Sequence, residues 1–301
     1  MIKDQRVVVV TGKGGVGKTT SCVALALAAH RAGRRVLLCE TQGAERIPSL
    51  FAQKSNGYQF TTLAPRLRCF SITSEAAIED YLIKLLHFKR IYQMVFRNRI
   101  MGPFMDAVPG LHDLVQLGKV MELERTPSSD VDLYIIDAPA TGHALAMLNA
   151  PRTLMDLTVR GPFHDNAQLV ASLIEDPQKT ALVLVATPEE LPINETLELY
   201  ERLGNMRRQV KMMVLNEIQP PPIHSPERLE PLLPYLRAGA DSAGQRTLDL
   251  AEGLLRRHHL QEQARTRLRA IPTVHKELPM LAHRGLVRAD LERLASLLEV
   301  F

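Results

Sequence analysis

Short apolar runs recur along the chain, separated by longer segments whose apolar residues return every three to four positions. The runs are Arg6–Val10 (RVVVV), Arg35–Glu40 (RVLLCE), Leu67–Thr73, Val131–Ala138 (VDLYIIDA), Thr180–Thr187 (TALVLVAT), Val210–Asn216 and Leu268–Thr273. Short, continuous and rich in β-branched residues, they read as buried strands. Ser21–His30 (SCVALALAAH) is the clearest of the helices between them. This alternation predicts an α/β fold, a mostly parallel central sheet flanked by helices on both faces. In such sheets ligands bind at the carboxyl ends of the strands. Gly12, Asp137, Thr187–Pro188 and Asn216 all fall at such ends. Pro220–Pro222 reads as a rigid loop, and no boundary divides the chain, so the expectation is a single domain over 1–301.

One region departs from the alternation. Leu82, Leu85, Leu86, Ile91, Met94 and Val95 stand near helical spacing, as do Leu111, Leu114, Val115, Met121 and Leu123. They predict a helical insertion over about 75–126. Its apolar, methionine-containing stripe has two readings: the core of a helical layer, or an adaptable surface for an apolar helix.

The chemistry starts where the first strand ends. Gly12, Lys13, Gly14, Gly15, Val16, Gly17, Lys18 and Thr19 fit G-x-x-x-x-G-K-[ST], with Thr20 completing the run of candidate nucleotide contacts. The glycines let backbone N–H groups turn inward where side chains would block a phosphate. The helix that follows presents its positive end to the same anion. Lys18 adds a full charge at the β- and γ-phosphates, and the Thr19 hydroxyl can ligate Mg²⁺. A second strand ends in Asp137, which can hold Mg²⁺ directly or through water. Beyond it, Pro139, Thr141 and Gly142 are expected to form a tight loop with a backbone N–H near the γ-phosphate.

Composition narrows the partners. With 46% hydrophobic and 23% charged residues the chain is ordinary globular material, and a formal charge of +4 indicates neither nucleic acid nor an acidic membrane. Trp is absent and aromatics are 5%, which argues against a stacking platform for single strands. Cys22, Cys39 and Cys69 lie in apolar surroundings with no CxxC, so they read as small buried hydrophobes in a reducing compartment. No apolar run is long enough to span a membrane, and the first strand starts too early to leave room for a signal peptide. The expected location is cytoplasmic.

KGGVGKTT (Lys13–Thr20) resembles the deviant Walker A of the MinD/ParA/arsenite-pump group of P-loop NTPases. DAPATGH (Asp137–His143) looks like the D-x-A-P-T-G-H segment of arsenite-pump ATPases, shared by the targeting factors for tail-anchored membrane proteins. PGLHD (Pro109–Asp113) and ATPEELP (Ala186–Pro192) match the same family, the latter at its dimer interface. The resemblance implies an ATP- and Mg²⁺-binding dimer in which Lys13 reaches the partner's nucleotide. It also implies a catalytic set of Lys13, Lys18, Asp137 and a residue at position 42. His143 is either solvated or a relay of nucleotide state to the helix behind it. For the base it implies Asn216, with IPTVHKE (Ile271–Glu277) as the adenine-side loop carrying Pro272 and Thr273. The helical insertion would be the client surface.

The chain departs from that family at switch I. Where the family has S-T-D-P-A-H, Gln42 stands for the Asp, Gly43 for the Pro and Glu45 for the His. A glutamine can orient a water but cannot act as a base near neutral pH. Hydrolysis is therefore expected to be slow, absent, or completed by a partner, either a second copy or a paralogous ATPase. The cysteines needed for a dimer-bridging zinc or for arsenite are missing, so neither site is expected. A non-hydrolysing regulatory subunit and a ParA/MinD-like positioning protein are the alternatives.

Overall fold

The computed structural model describes residues 2, 4–41, 45–86, 108–126, 130–220, 226–281 and 285–301. Gln42, Gly43, Ile91, Met94 and Val95, and the side chains of Leu85 and Leu86, lie outside what is described. Among the described residues eight strands form one sheet: β1 Val7–Gly12, β2 Val36–Glu40, β3 Thr61–Ala64, β4 Leu67–Ser71, β5 Leu133–Ala140, β6 Thr180–Ala186, β7 Val210–Ile218 and β8 Val274–Pro279. Their order is β3-β4-β2-β5-β1-β6-β7-β8, and every pair is parallel except β3 with β4. The strand that feeds the P-loop, β1, thus sits between β5 and β6, with both its edges paired. This is the mostly parallel α/β sheet expected of a P-loop NTPase.

The helices are α1 Lys18–Arg31, α2 Arg46–Leu50, α3 Ser74–Leu86, α4 Leu111–Arg125, α5 Thr141–Leu157, α6 Pro162–Ile174, α7 Glu190–Arg202, α8 Pro226–Leu229, α9 Leu233–Ala238, α10 Ser242–Leu268 and α11 Arg288–Leu297. Alternate strand residues divide between two cores. Val8, Val10, Leu38, Ile135, Val183 and Val214 pack with α1 and α11 on one face. Val7, Val9, Leu37, Ile136, Leu184 and Met213 pack with α3–α7 and α10 on the other. Every residue from Ser21 to Ala29 is buried, because α1 lies between the sheet and α11. A helix covered on both sides carries apolar residues all round, which explains its weak amphipathic pattern.

Two expectations change. Leu268–Thr273 is not a strand: α10 runs to Leu268, which is buried with Leu255, Gln261 and Ala264 at helical spacing, and the strand begins at Val274. The four-residue β3, missed by periodicity, is a sheet-edge strand paired only to β4.

Within the helical insertion, Leu111, Leu114, Val115 and Met121 of α4 are buried in the core shared with the sheet. Ion pairs tie α3 to α4, through Asp80 to Lys119 and through Lys84 to Glu122 at 2.5 Å. The described part of the stripe is therefore packing, not open surface. Leu114, fully buried, should cost about 2–5 kcal/mol when truncated to Ala, as deep core leucines do. Urea unfolding followed by circular dichroism measures this, and a loss below about 1 kcal/mol would return the α4 stripe to the surface reading.

Candidate functional site

The phosphate loop is held by strand ends. Gly12 closes β1 beside Val185 of β6, and a Cβ there would lie 2.0 Å from the Val185 carbonyl oxygen, so no other residue fits. Gly17 caps α1 with φ +85°, a left-handed conformation that glycine adopts without strain. A Cβ on Gly17 would also fall 2.3 Å from Nδ2 of Asn216. That amide donates to the Val16 carbonyl at 2.9 Å. Asn216, expected to read a base edge, spends one of its two amide N–H groups on the loop. Gly14 and Gly15 have no atom within 4 Å of an added Cβ, which leaves the loop's outer face open. The first turn of α1 has no side-chain cap, so its N–H groups can receive an anion.

Lys18 donates to the Lys13 carbonyl at 3.0 Å, curling back over its own loop. Burial pushes its ammonium below the ordinary lysine value, and the charge of Asp137 opposes this. Thr19 Oγ1 donates to Asp137 Oδ2 at 2.6 Å. Burial pushes the Asp137 carboxyl up, while the Thr19 hydrogen bond and the Lys18 charge pull it down. The Cys22 thiol, pushed well up by burial, lies 3.7 Å from Asp137 Oδ1. Two further threonines fix the end of β5: Thr11 donates to the Pro139 carbonyl and Thr41 to the Asp137 carbonyl, both at 2.9 Å. A hydroxyl and a carboxylate in contact at a helix start form a hard oxygen donor set, which fits Mg²⁺ held together with substrate phosphates.

Beyond Asp137 there is no separate loop. Strand β5 extends to Ala140 and α5 begins at Thr141, so Gly142 and His143 lie exposed in its first turn. Thr141 Oγ1 donates to Glu195 Oε2 at 2.9 Å, and Lys13 Nζ lies 3.2 Å from Glu195 Oε1. One carboxylate on α7 therefore joins the first lysine of the P-loop to the start of α5. Glu45, in a left-handed conformation with φ +47°, is exposed with its carboxyl beside Gly57.

Pro272 and Thr273 are not brought to the loop. Because β8 runs parallel to β7, its first residues lie at the opposite edge of the sheet, and Thr273 donates to the carbonyl of Val210, where β7 begins. Level with Asn216 the strand runs from Glu277, paired with Leu215, to Pro279, paired with Ile218, and just beyond it the Met280 N–H bonds the Ile218 carbonyl. Two acidic residues of the site carry little signal in the sequence. Glu40 is signalled only as a charge ending an apolar run. Nothing signals Glu195, which the orientation of α7 brings to the site.

A sequence model of the anion-transporting ATPase family matches residues 5–160 and 159–230. ATPase BagA of Mycobacterium tuberculosis is 33% identical over 242 residues, covering 75% of this chain and 67% of that protein. ATPase GET3 of Komagataella phaffii is 26% identical over 254 residues, 69% of this chain and 72% of its own. ATPase ASNA1 homolog 1 of Paramecium tetraurelia is 23% identical over 245 residues, 69% and 74%. The matched residues include the P-loop, the Asp137 strand and Asn216, and the chain belongs to the anion-transporting, ArsA-type ATPase family.

Proposed function

We propose that this protein is a cytoplasmic ATP- and Mg²⁺-binding switch whose nucleotide-bound form closes a dimer. The observation that carries the reading is the junction of the open P-loop with the Thr19–Asp137 pair at the start of α1. Amides of the loop and of the first turn of α1 receive the phosphates. Lys18 exchanges the Lys13 carbonyl for phosphate oxygens. Thr19 and Asp137 hold Mg²⁺, Asp137 directly or through water, and the loop residues Gly12–Thr20 form the nucleotide cradle. When bound, Mg²⁺ supplies charge neutralisation at the β- and γ-phosphates. Gly142, exposed at the start of α5, senses the γ-phosphate. Asn216 acts by shaping the loop, and the base side falls to the chain after Pro279 rather than to Pro272 and Thr273.

Dimer closure, with a second copy or a paralogous ATPase, takes Lys13 off Glu195 and across to the partner's nucleotide. That move takes the cation from the carboxylate that holds Thr141, so the start of α5 is informed of closure. The client is an apolar helix or a membrane-associated protein, met by parts of the helical insertion other than the buried face of α4. Gln42 in the place of the switch I Asp favours a second form of the reading, a subunit that holds ATP and turns it over slowly alone.

Lys18→Ala should abolish ATP binding in calorimetry, and an unchanged affinity would remove the P-loop assignment. Lys13→Ala should weaken the dimer formed with a non-hydrolysable ATP analogue, and Glu195→Gln should strengthen it. A partly exposed ion pair contributes about 0.2–1 kcal/mol, so the Glu195 effect on the dimer constant should be at most about five-fold. Sedimentation velocity reads both, and equal dimer populations in all three proteins would rule out the crossing lysine. Gln42→Asp should raise the turnover of the isolated protein by about 10²–10⁴-fold, the usual worth of a general base. A wild type already as fast as the variant would show that Gln42 suffices.

A further inference from the structure

The site holds a second buried acid that the reading so far does not use. Glu40 is the last residue of β2 and pairs in register with Asp137 on the neighbouring strand. Strand alternation puts it on the face of Leu38, as it puts Asp137 on the face of Ile135, and both of these face α1. Neighbouring strands stand about 4.8 Å apart, so the two carboxyls are side by side at the carboxyl edge of the sheet. Both bear on the same thiol, Cys22 of α1.

Glu40 is 3% exposed, and its two oxygens are treated differently. Oε1 accepts from the N–H groups of Arg46 (2.8 Å) and Ile47 (3.1 Å) at the start of α2. Oε2 is buried with no hydrogen-bond partner. Burial pushes this carboxyl up; the two N–H groups oppose that, and Asp137 adds to it. An acid whose only task was to cap α2 would not leave an oxygen buried and unpaired beside a second carboxylate, since buried polar groups are almost always satisfied. An ionised Oε2 lacks a proton donor or a cation, and the phosphate site alongside is where a divalent cation would enter.

We infer that Glu40 is a second acidic residue of the Mg²⁺ site, with Oε2 taking a hydrogen bond from the hydration shell of the cation that Thr19 and Asp137 hold. Mg²⁺ keeps several waters when bound through few protein ligands, and such waters need outer acceptors. Glu40 thereby links the cation to α2 through one side chain: Oε2 on the metal's water, Oε1 on the first amides after the switch I segment. Glu40 is a positioning residue in this account. The inference rests on the ATP–Mg²⁺ reading above.

The test uses Mn²⁺ in place of Mg²⁺ on the full chain, with binding to the ATP-loaded protein read by electron paramagnetic resonance. Glu40→Gln is nearly isosteric and keeps an acceptor for the α2 amides, so it separates charge from capping. It should leave metal-free ATP affinity within two-fold of wild type and weaken Mn²⁺ by about ten-fold or more, as removal of outer-shell partners does. Glu40→Ser removes the carboxylate altogether; it should lose at least as much Mn²⁺ affinity, and it serves if E40Q unfolds. Asp137→Asn is the reference for a lost ligand. Mn²⁺ affinity within two-fold of wild type in a folded Glu40 variant that still binds ATP would overturn the inference alone and leave Glu40 as a cap. Failure of the unchanged chain to bind ATP would overturn the proposed function, and this inference with it.

Discussion

The parallel pairing of β1 between β5 and β6 is the constraint on which the site depends. In a parallel ladder every strand delivers its last residue to the same edge. Gly12, Glu40, Asp137, Thr187 and Asn216 come from the ends of five strands far apart in sequence, yet all lie along one rim. The central position of β1 requires that both its neighbours approach closely at the loop. Gly12 against the Val185 carbonyl of β6 marks that approach, and Asn216, on β7 one strand further out, reaches in to the Val16 carbonyl. The loop's open outer face is the counterpart of a closely fitted inner one.

The same geometry sorts what could be read from the sequence. The P-loop was legible because its chemistry is local: eight consecutive residues carry glycine freedom, a lysine and a hydroxyl in fixed order. Asp137 was legible because its apolar run is paired with a P-loop upstream; a carboxylate after an apolar run alone, as at Glu40, is a weak signal. Thr273 was misplaced because the strand it adjoins begins at Val274, not at Leu268, and that shift moves it from the rim to the far edge. The boundary was hidden because Leu268 belongs equally well to an apolar run and to the buried stripe of α10.

Other contacts were illegible in principle. Glu195 meets Lys13 and Thr141 only because α7 and α5 lie side by side on one face of the sheet, and no spacing within α7 foretells that. Glu40 acquires meaning only once β2 is known to lie beside β5 rather than beside β1. The stripe of α4 had the periodicity of either a core or a docking face, and burial of Leu111, Leu114, Val115 and Met121 decides it for this helix. Periodicity reports that a face is apolar; what covers it is a property of the whole fold.

Helix α1, buried from Ser21 to Ala29 between the sheet and α11, begins at the phosphate site and has nowhere to go. Close-packed interiors do not deform continuously, so a helix clamped on both sides cannot tilt or slide without disrupting its packing against the sheet and against α11 at once. In mechanical terms α1 is the fixed post of the machine. Whatever arrives at its end must be transmitted by members with a free side, and α5 is one: its first turn is exposed and is tied to α7 through a single carboxylate. In the proposed switch the layering would set a direction of travel, with a phosphate anchored on one face of the sheet and its arrival expressed on the other.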